Sequence, residues 1–167
     1  MKSCVLTSDG FCRLCLFPTE TSQISQILKY CNEKRLAVVP QGGNTGVSGG
    51  QNPVFDEIIV NTSKMNKVRS FDPISGVAVV DAGVVLENLD NYLAPQGYTV
   101  PLDLGAKGSC QIGGNVSTNA GGLRLMRFGN LHGNVLGLEV VRFIPTKNDA
   151  ENMANCYDNR CYRMELC

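Results

Sequence analysis

Two glycine-rich stretches hold most of the residues in this chain that could do chemistry. The first, Pro40-Gln41-Gly42-Gly43-Asn44-Thr45-Gly46-Val47-Ser48-Gly49-Gly50, directly follows a short apolar run. Glycine has no Cβ, so successive backbone N–H groups can turn toward one point and form a nest for anionic oxygens. Asn44, Thr45 and Ser48 add side-chain donors. A hydrogen bond to a charged group contributes about 1.5–3 kcal/mol, so roughly four or five would hold a diphosphate firmly. Ordering such a loop costs about 1–2 kcal/mol per residue, which predicts mobility until a ligand occupies it. A long surface hairpin remains open as the other explanation of the same glycines. The loop has no P-loop lysine, and no Gly-x-Gly-x-x-Gly opens a helix after it. Residues 51–57 lead instead into a further strand, so a phosphate here would be held by loop amides without a helix dipole.

The second stretch runs from Pro101 to Gly122, PLDLGAKGSCQIGGNVSTNAGG, with hydroxyl and amide side chains at close intervals. A long, small-residued connection inside a compact domain is more often functional than filler. Two such loops in one small domain suit a long ligand with a diphosphate in its middle.

Other candidates are weaker. His132 is the sole histidine and has no evident carboxylate partner, so a loop role is favoured over a general base. Cys12 and Cys15 have redox or metal spacing without a second pair, and Cys156 and Cys161 fare no better. Arg124 and Arg127 could approach an acidic substrate or a cofactor, but solvated arginines are the more common case. Lys107 is undecided, and Asp103 is expected only to orient its loop.

The whole chain bounds these sites. Its 167 residues suit one domain, with room for two small lobes, burying roughly 70% of the unfolded surface. Fifteen basic and 15 acidic residues balance, which gives no electrostatic case for nucleic acid or an anionic membrane. No apolar run is long enough to span a bilayer. The eight cysteines crowd both ends and nearly spare the middle, unlike a disulfide framework, so a reducing compartment is expected. The N-terminus resembles neither a signal peptide nor a good transit peptide.

The elements that must position the loops follow from periodicity. Ile24, Ile27, Leu28 and Cys31 fall on one face of a helix, with Thr21 as the expected cap. Leu36 to Val39, Glu57 to Val60 and Gly76 to Asp81 read as strands. Val85, Leu89 and Leu93 form a second helical stripe ending at Pro95-Gln96-Gly97. Tyr98 to Val100 and Gly137 to Arg142 read as brief strands. Helices alternating with short strands indicate an α/β or α+β domain. Three segments result: 1–17, atypical; 18–142, the domain; and 143–167, polar, amide-rich and expected to be disordered.

From about Pro18 to Val141 the sequence resembles a known family. PQGGNTGVSGG, VFDEIIVNTSKMNKV and PLDLGAKGSCQIGGNVSTNAGGLRLMRFGNLHGNVLGLEVV are similar to the D-2-hydroxyglutarate dehydrogenases, FAD-linked oxidases of the vanillyl-alcohol oxidase superfamily. The long second motif is specific; the first is shared by D-lactate and glycolate relatives. The resemblance implies an α+β FAD-binding domain of the p-cresol methylhydroxylase type, incomplete here. It implies that Gln41, Gly42, Gly43, Asn44, Thr45 and Gly46 line the diphosphate. It further implies that Leu104, Gly108, Ser109, Gly113, Gly114, Asn115, Ser117 and Thr118 follow the flavin and its ribityl chain. Ser117 stands where alanine is expected, a change that should not block binding. Covalent members carry a histidine in the first loop; Asn44 stands in that stretch, which implies non-covalent FAD.

The same resemblance implies a mitochondrial dehydrogenase that oxidises a D-2-hydroxy acid to the 2-oxo acid and passes electrons to an external acceptor. The family's later glycine-rich segment and its cap domain, with any catalytic or metal-binding residues, are expected to lie outside this chain. Independent catalysis is therefore not expected. A non-catalytic FAD-binding chain, or one that pairs with a full-length subunit, is the competing expectation; a product with no function is the third.

Overall fold

The computed structural model describes residues 14–142 and the strand Tyr162–Leu166. Two sheets of different character carry the molecule. The first is parallel, in the order β1-β3-β2, built from β1 (Cys15–Leu16), β2 (Val38–Gln41) and β3 (Ile58–Asn61). Helix α1 (Thr21–Glu33) crosses from β1 to β2 and buries Ile24, Leu28 and Cys31, the apolar face that its spacing predicts. Ile24 and Leu28 pack with Val60 and Met65 in a small core. A parallel pair cannot be closed by a tight turn, so β2 reaches β3 through a long connection, and that connection is the first glycine-rich loop.

The second sheet is antiparallel, in the order β4-β5-β7-β6. Its strands are β4 (Val68–Asp72), β5 (Val77–Asp81), β6 (Val135–Val140) and β7 (Tyr162–Leu166). Asp72 closes the β4–β5 hairpin by accepting from the Ile74 N–H at 2.9 Å and the Ser75 hydroxyl at 2.6 Å. Helix α2 (Leu86–Leu93) lays Leu86, Leu89 and Leu93 on the larger core beside Ala78, Val80, Val100, Ile112 and Val116. Two short helices, α3 (Ile112–Ser117) and α4 (Leu125–Phe128), complete the order.

Several expectations need correction. The cap of α1 is Glu20, without a side-chain capping bond; Thr21 is already helical, and its hydroxyl donates to Glu139 Oε2 at 3.2 Å. Tyr98 to Val100 is not a strand, because Asp90 rather than a neighbouring strand accepts the Val100 N–H, at 2.9 Å. Strand β4 escapes the sequence because its pairing with β5 shifts register between Val68 and Ser70, which breaks the period of two. β1 lies within the segment 1–17 set aside as atypical, and two residues carry no readable period.

The composition of the segment 143–167 leads to the expectation of a disordered tail. Residues 162–166 instead pair with both β5 and β6. Tyr162, Met164 and Leu166 alternate with Arg163 and Glu165, a strand pattern five residues long within a polar stretch. The rest of that segment, like residues 1–13, lies outside the described residues.

Candidate functional site

Strand β2 delivers its last residue, Gln41, into a buried position at the root of the first loop. Both functional atoms of Gln41 are engaged there. Its Oε1 accepts from Asn61 Nδ2 at 3.2 Å, and its Nε2 donates to the Gln51 carbonyl at 3.1 Å. Gln51 then turns its own Nε2 to the Gly46 carbonyl at 3.0 Å. The loop is thus pinned at its root and its middle by three carboxamides.

Between those pins the chain is open. Gly42 and Gly43 are half-buried, and Asn44 to Ser48 are exposed. Asn44 adopts φ 56°, in the left-handed region that asparagine tolerates better than most residues. The backbone N–H groups of Gly43, Asn44, Thr45 and Gly46 donate to no acceptor among the described residues. A run of unpaired amides on a pinned loop is the arrangement that receives anionic oxygens.

The second stretch is not one long loop. Its middle is α3, and the residues expected to share a single role face different ways. Gly113 is a packing position: its N–H donates to the Ala82 carbonyl at 2.8 Å, and a Cβ there would sit 2.8 Å from that of Ala82. Asn115 is buried, with its Nδ2 3.6 Å from Cys110 Sγ. Leu104 packs against the larger core. Gly108, Ser109, Gly114, Ser117 and Thr118 are exposed. The hydroxyls of Ser117 and Thr118 bond back to the carbonyls of Gly113 and Gly114, at 3.0 and 3.1 Å.

The two stretches meet. A Cβ on Gly43 would lie 1.9 Å from the Ser109 carbonyl oxygen, and one on Gly42 would lie 3.2 Å from Gln111 Oε1. Behind this seam, the buried Thr62 donates its hydroxyl to Gln111 Oε1 at 2.7 Å. Asn61, Thr62 and Gln111 were not among the expected site residues. A lone amide or hydroxyl in a polar stretch carries no sequence signal.

Several of the remaining candidates have partners within the fold. His132 has its Nε2 2.6 Å from the Val116 carbonyl, and its backbone N–H donates to Asn119 Oδ1 at 2.9 Å. Arg124 donates to Thr99 Oγ1 at 2.7 Å and to the Val100 carbonyl, and lies 4.0 Å from Asp90. Arg127 stacks over Phe128. Lys107 is exposed. The Asp103 carbonyl accepts from the Leu123 N–H at 2.9 Å, which ties the two ends of the second stretch together. Cys15 is buried in β1, and Cys12, Cys156 and Cys161 lie outside the described residues. No cluster of histidine, cysteine and carboxylate groups suited to a metal occurs among the described residues. No described helix is long and apolar enough to cross a membrane.

Known proteins share both the sequence and the fold. Residues 13–142 match a family model described as FAD binding domain. The chain is 65% identical over 132 residues to the mitochondrial D-2-hydroxyglutarate dehydrogenase of Arabidopsis thaliana, covering 79% of this chain and 24% of that one. The corresponding protein of Danio rerio is 64% identical over 135 residues, covering 81% and 25%. A putative mitochondrial D-lactate dehydrogenase of Schizosaccharomyces pombe is 63% identical over 132 residues, covering 79% and 25%. The chain therefore spans about a quarter of the length of the curated relatives it matches. Among solved structures, an alkyldihydroxyacetonephosphate synthase matches with TM-score 0.78 at 16% identity, covering 93% of this chain and 34% of that one.

Proposed function

This chain belongs to the FAD binding domain family and has its p-cresol methylhydroxylase-type fold, and from that premise we propose that it is the cofactor-holding part of a flavin-dependent D-2-hydroxy acid dehydrogenase. One observation carries the assignment of the site: the unpaired amides of Gly43 to Gly46 begin at the seam where Gly42 and Gly43 meet Gln111 and Ser109. The donor set suits FAD, whose diphosphate needs several convergent donors and whose ring system needs a wall of small residues.

In this reading the amides of Gly42, Gly43, Asn44, Thr45 and Gly46 hold the diphosphate. Gln41 acts from behind, fixing the loop through Asn61 and Gln51. The exposed Gly108, Ser109, Gly114, Ser117 and Thr118 follow the ribityl chain and ring, while Leu104, Gly113 and Asn115 shape the wall beneath them. Asn44 occupies the stretch where a covalent attachment would need a histidine, so FAD is held non-covalently.

FAD supplies a hydride acceptor, and the protein's part is to position it and tune its environment. The reaction proposed for the whole protein is oxidation of D-2-hydroxyglutarate to 2-oxoglutarate in mitochondria, with electrons passed to an external acceptor. It needs a base and a carboxylate clamp. His132 and Arg124 are committed to Val116, Thr99 and Asp90, so neither is assigned to those tasks. D-lactate is the second substrate reading, favoured by the relative whose name carries it.

The test is a visible spectrum of the purified chain after incubation with FAD and desalting. A retained flavin band supports the assignment, and turnover of D-2-hydroxyglutarate against D-lactate by the whole protein then separates the substrates. A colourless chain counts against a working cofactor site here.

A further inference from the structure

Gln111 combines burial with an unused donor. It is 7% exposed and stands immediately before α3. Its Oε1 accepts the Thr62 hydroxyl at 2.7 Å, and Thr62 is itself 8% exposed. The Gln41 carbonyl is a second neighbour of that hydroxyl, at 3.3 Å. A hydroxyl has a single hydrogen, and the shorter contact takes it. The carboxamide is thereby oriented, with its oxygen toward Thr62 and its NH2 turned away.

That NH2 group donates to nothing among the described residues. Yet every fully sealed polar side-chain atom among them has a hydrogen-bond partner. Gln111 Nε2 therefore keeps an opening to the outside although its residue is nine-tenths buried. The carboxamide itself lies beside the first loop, since a Cβ on Gly42 would sit 3.2 Å from Gln111 Oε1 and 3.7 Å from its Cδ. The unpaired amides of Gly43 to Gly46 follow directly. A fixed neutral donor beside a row of free amides calls for an acceptor shared between them.

We propose that Gln111 is a further cofactor-holding residue, its NH2 group donating to a diphosphate oxygen of FAD and Thr62 acting as the positioning residue behind it. The proposal rests on the FAD assignment above and adds a contact from the second stretch to the diphosphate. Gln111→Glu tests it, because the glutamate keeps an acceptor for Thr62 while replacing the NH2 donor with an anionic oxygen. Gln111→Met, neutral and of similar volume, serves where the glutamate variant does not fold. Thr62→Val cuts the tie and leaves the donor.

FAD affinity is read from flavin fluorescence, ADP affinity by competition, and thermal midpoints are taken without ligand. The expected result is a rise of about 10- to 100-fold in the dissociation constants of FAD and ADP together for Gln111→Glu, the range of a lost hydrogen bond to a charged group. Gln111→Met should lie at the lower end, and Thr62→Val should weaken both ligands less. FAD and ADP binding equal to that of the unaltered chain would overturn the proposal, as would a loss for FAD that spares ADP. An unaltered chain that binds neither ligand would remove the FAD assignment itself, and the proposal with it.

Discussion

The carbonyl oxygen of Ser109 lies 1.9 Å from the place where Gly43 would carry a Cβ. The two glycine-rich stretches therefore touch backbone to backbone, closer than any other residue type allows. Gly43→Ala is expected to force them apart, lowering stability by about 1–3 kcal/mol and abolishing FAD retention. Gly46 offers the contrast, since its Cβ would meet only the end of the Gln51 side chain, at 3.2 Å. Gly46→Ala should cost much less stability. Thermal unfolding with and without FAD measures both.

Cys31 and Cys110 are buried free thiols, and burial pushes both above the ordinary cysteine range. At Cys110 a contact from Asn115 opposes the shift without cancelling it. The thiolate is the reactive form, so both should resist alkylation in the native chain and react once it is denatured. Peptide mapping after iodoacetamide treatment gives the answer, and rapid native labelling of Cys110 would contradict the packing around α3.

Asp90 is partly buried, which opposes its ionisation. Hydrogen bonds from Thr99 and the Val100 N–H, with the charges of Arg124 and Lys107, outweigh that and hold it below the usual carboxylate range. A carboxyl that ionises more readily folded than unfolded adds stability in full above its unfolded pKa, near about 4. That stability is lost as the pH falls through the lower, folded value. Asp90→Asn is therefore expected to flatten the acid limb of stability against pH below about pH 4, while leaving its shape near neutrality unchanged. Urea midpoints across that range would show it.

Arg124 ties α4 to the segment after α2 through Thr99 and Val100. Arg124→Met should lower stability by about 1–2 kcal/mol, the scale of lost charge-assisted hydrogen bonds. FAD affinity should stay as it was. A selective loss of affinity would instead return Arg124 to the site.

The proposed non-covalent binding of FAD has a direct consequence. Acid precipitation of the FAD-loaded chain should leave a yellow supernatant and a colourless pellet. Flavin that remains with the pellet would contradict the assignment of Asn44 to an unmodified loop.

Sequence alone determined the elements with strong periods and the two ligand-shaped stretches. Ile24, Leu28 and Cys31 repeat at helical spacing and are buried on α1; the glycines of 42–50 rule out a packed helix or strand there. The family was legible for a similar reason, because close backbone approach at Gly43 and Gly113 leaves little freedom in residue type. What only the tertiary structure decided is which neighbours those residues meet. The family resemblance implies Gln41, Gly113 and Asn115 as cofactor contacts, and packing sets their near neighbours: Asn61 and Gln51 for Gln41, Ala82 for Gly113, and Cys110 for Asn115. Gln111 and Thr62 carry no pattern, and their 2.7 Å bond joins residues 49 positions apart. Strand β7 likewise takes its place between β5 and β6 through pairing with distant residues. Local spacing reports which face of an element is apolar; it does not report which polar atom meets which across the chain, because those meetings are set by how the sheets and helices pack.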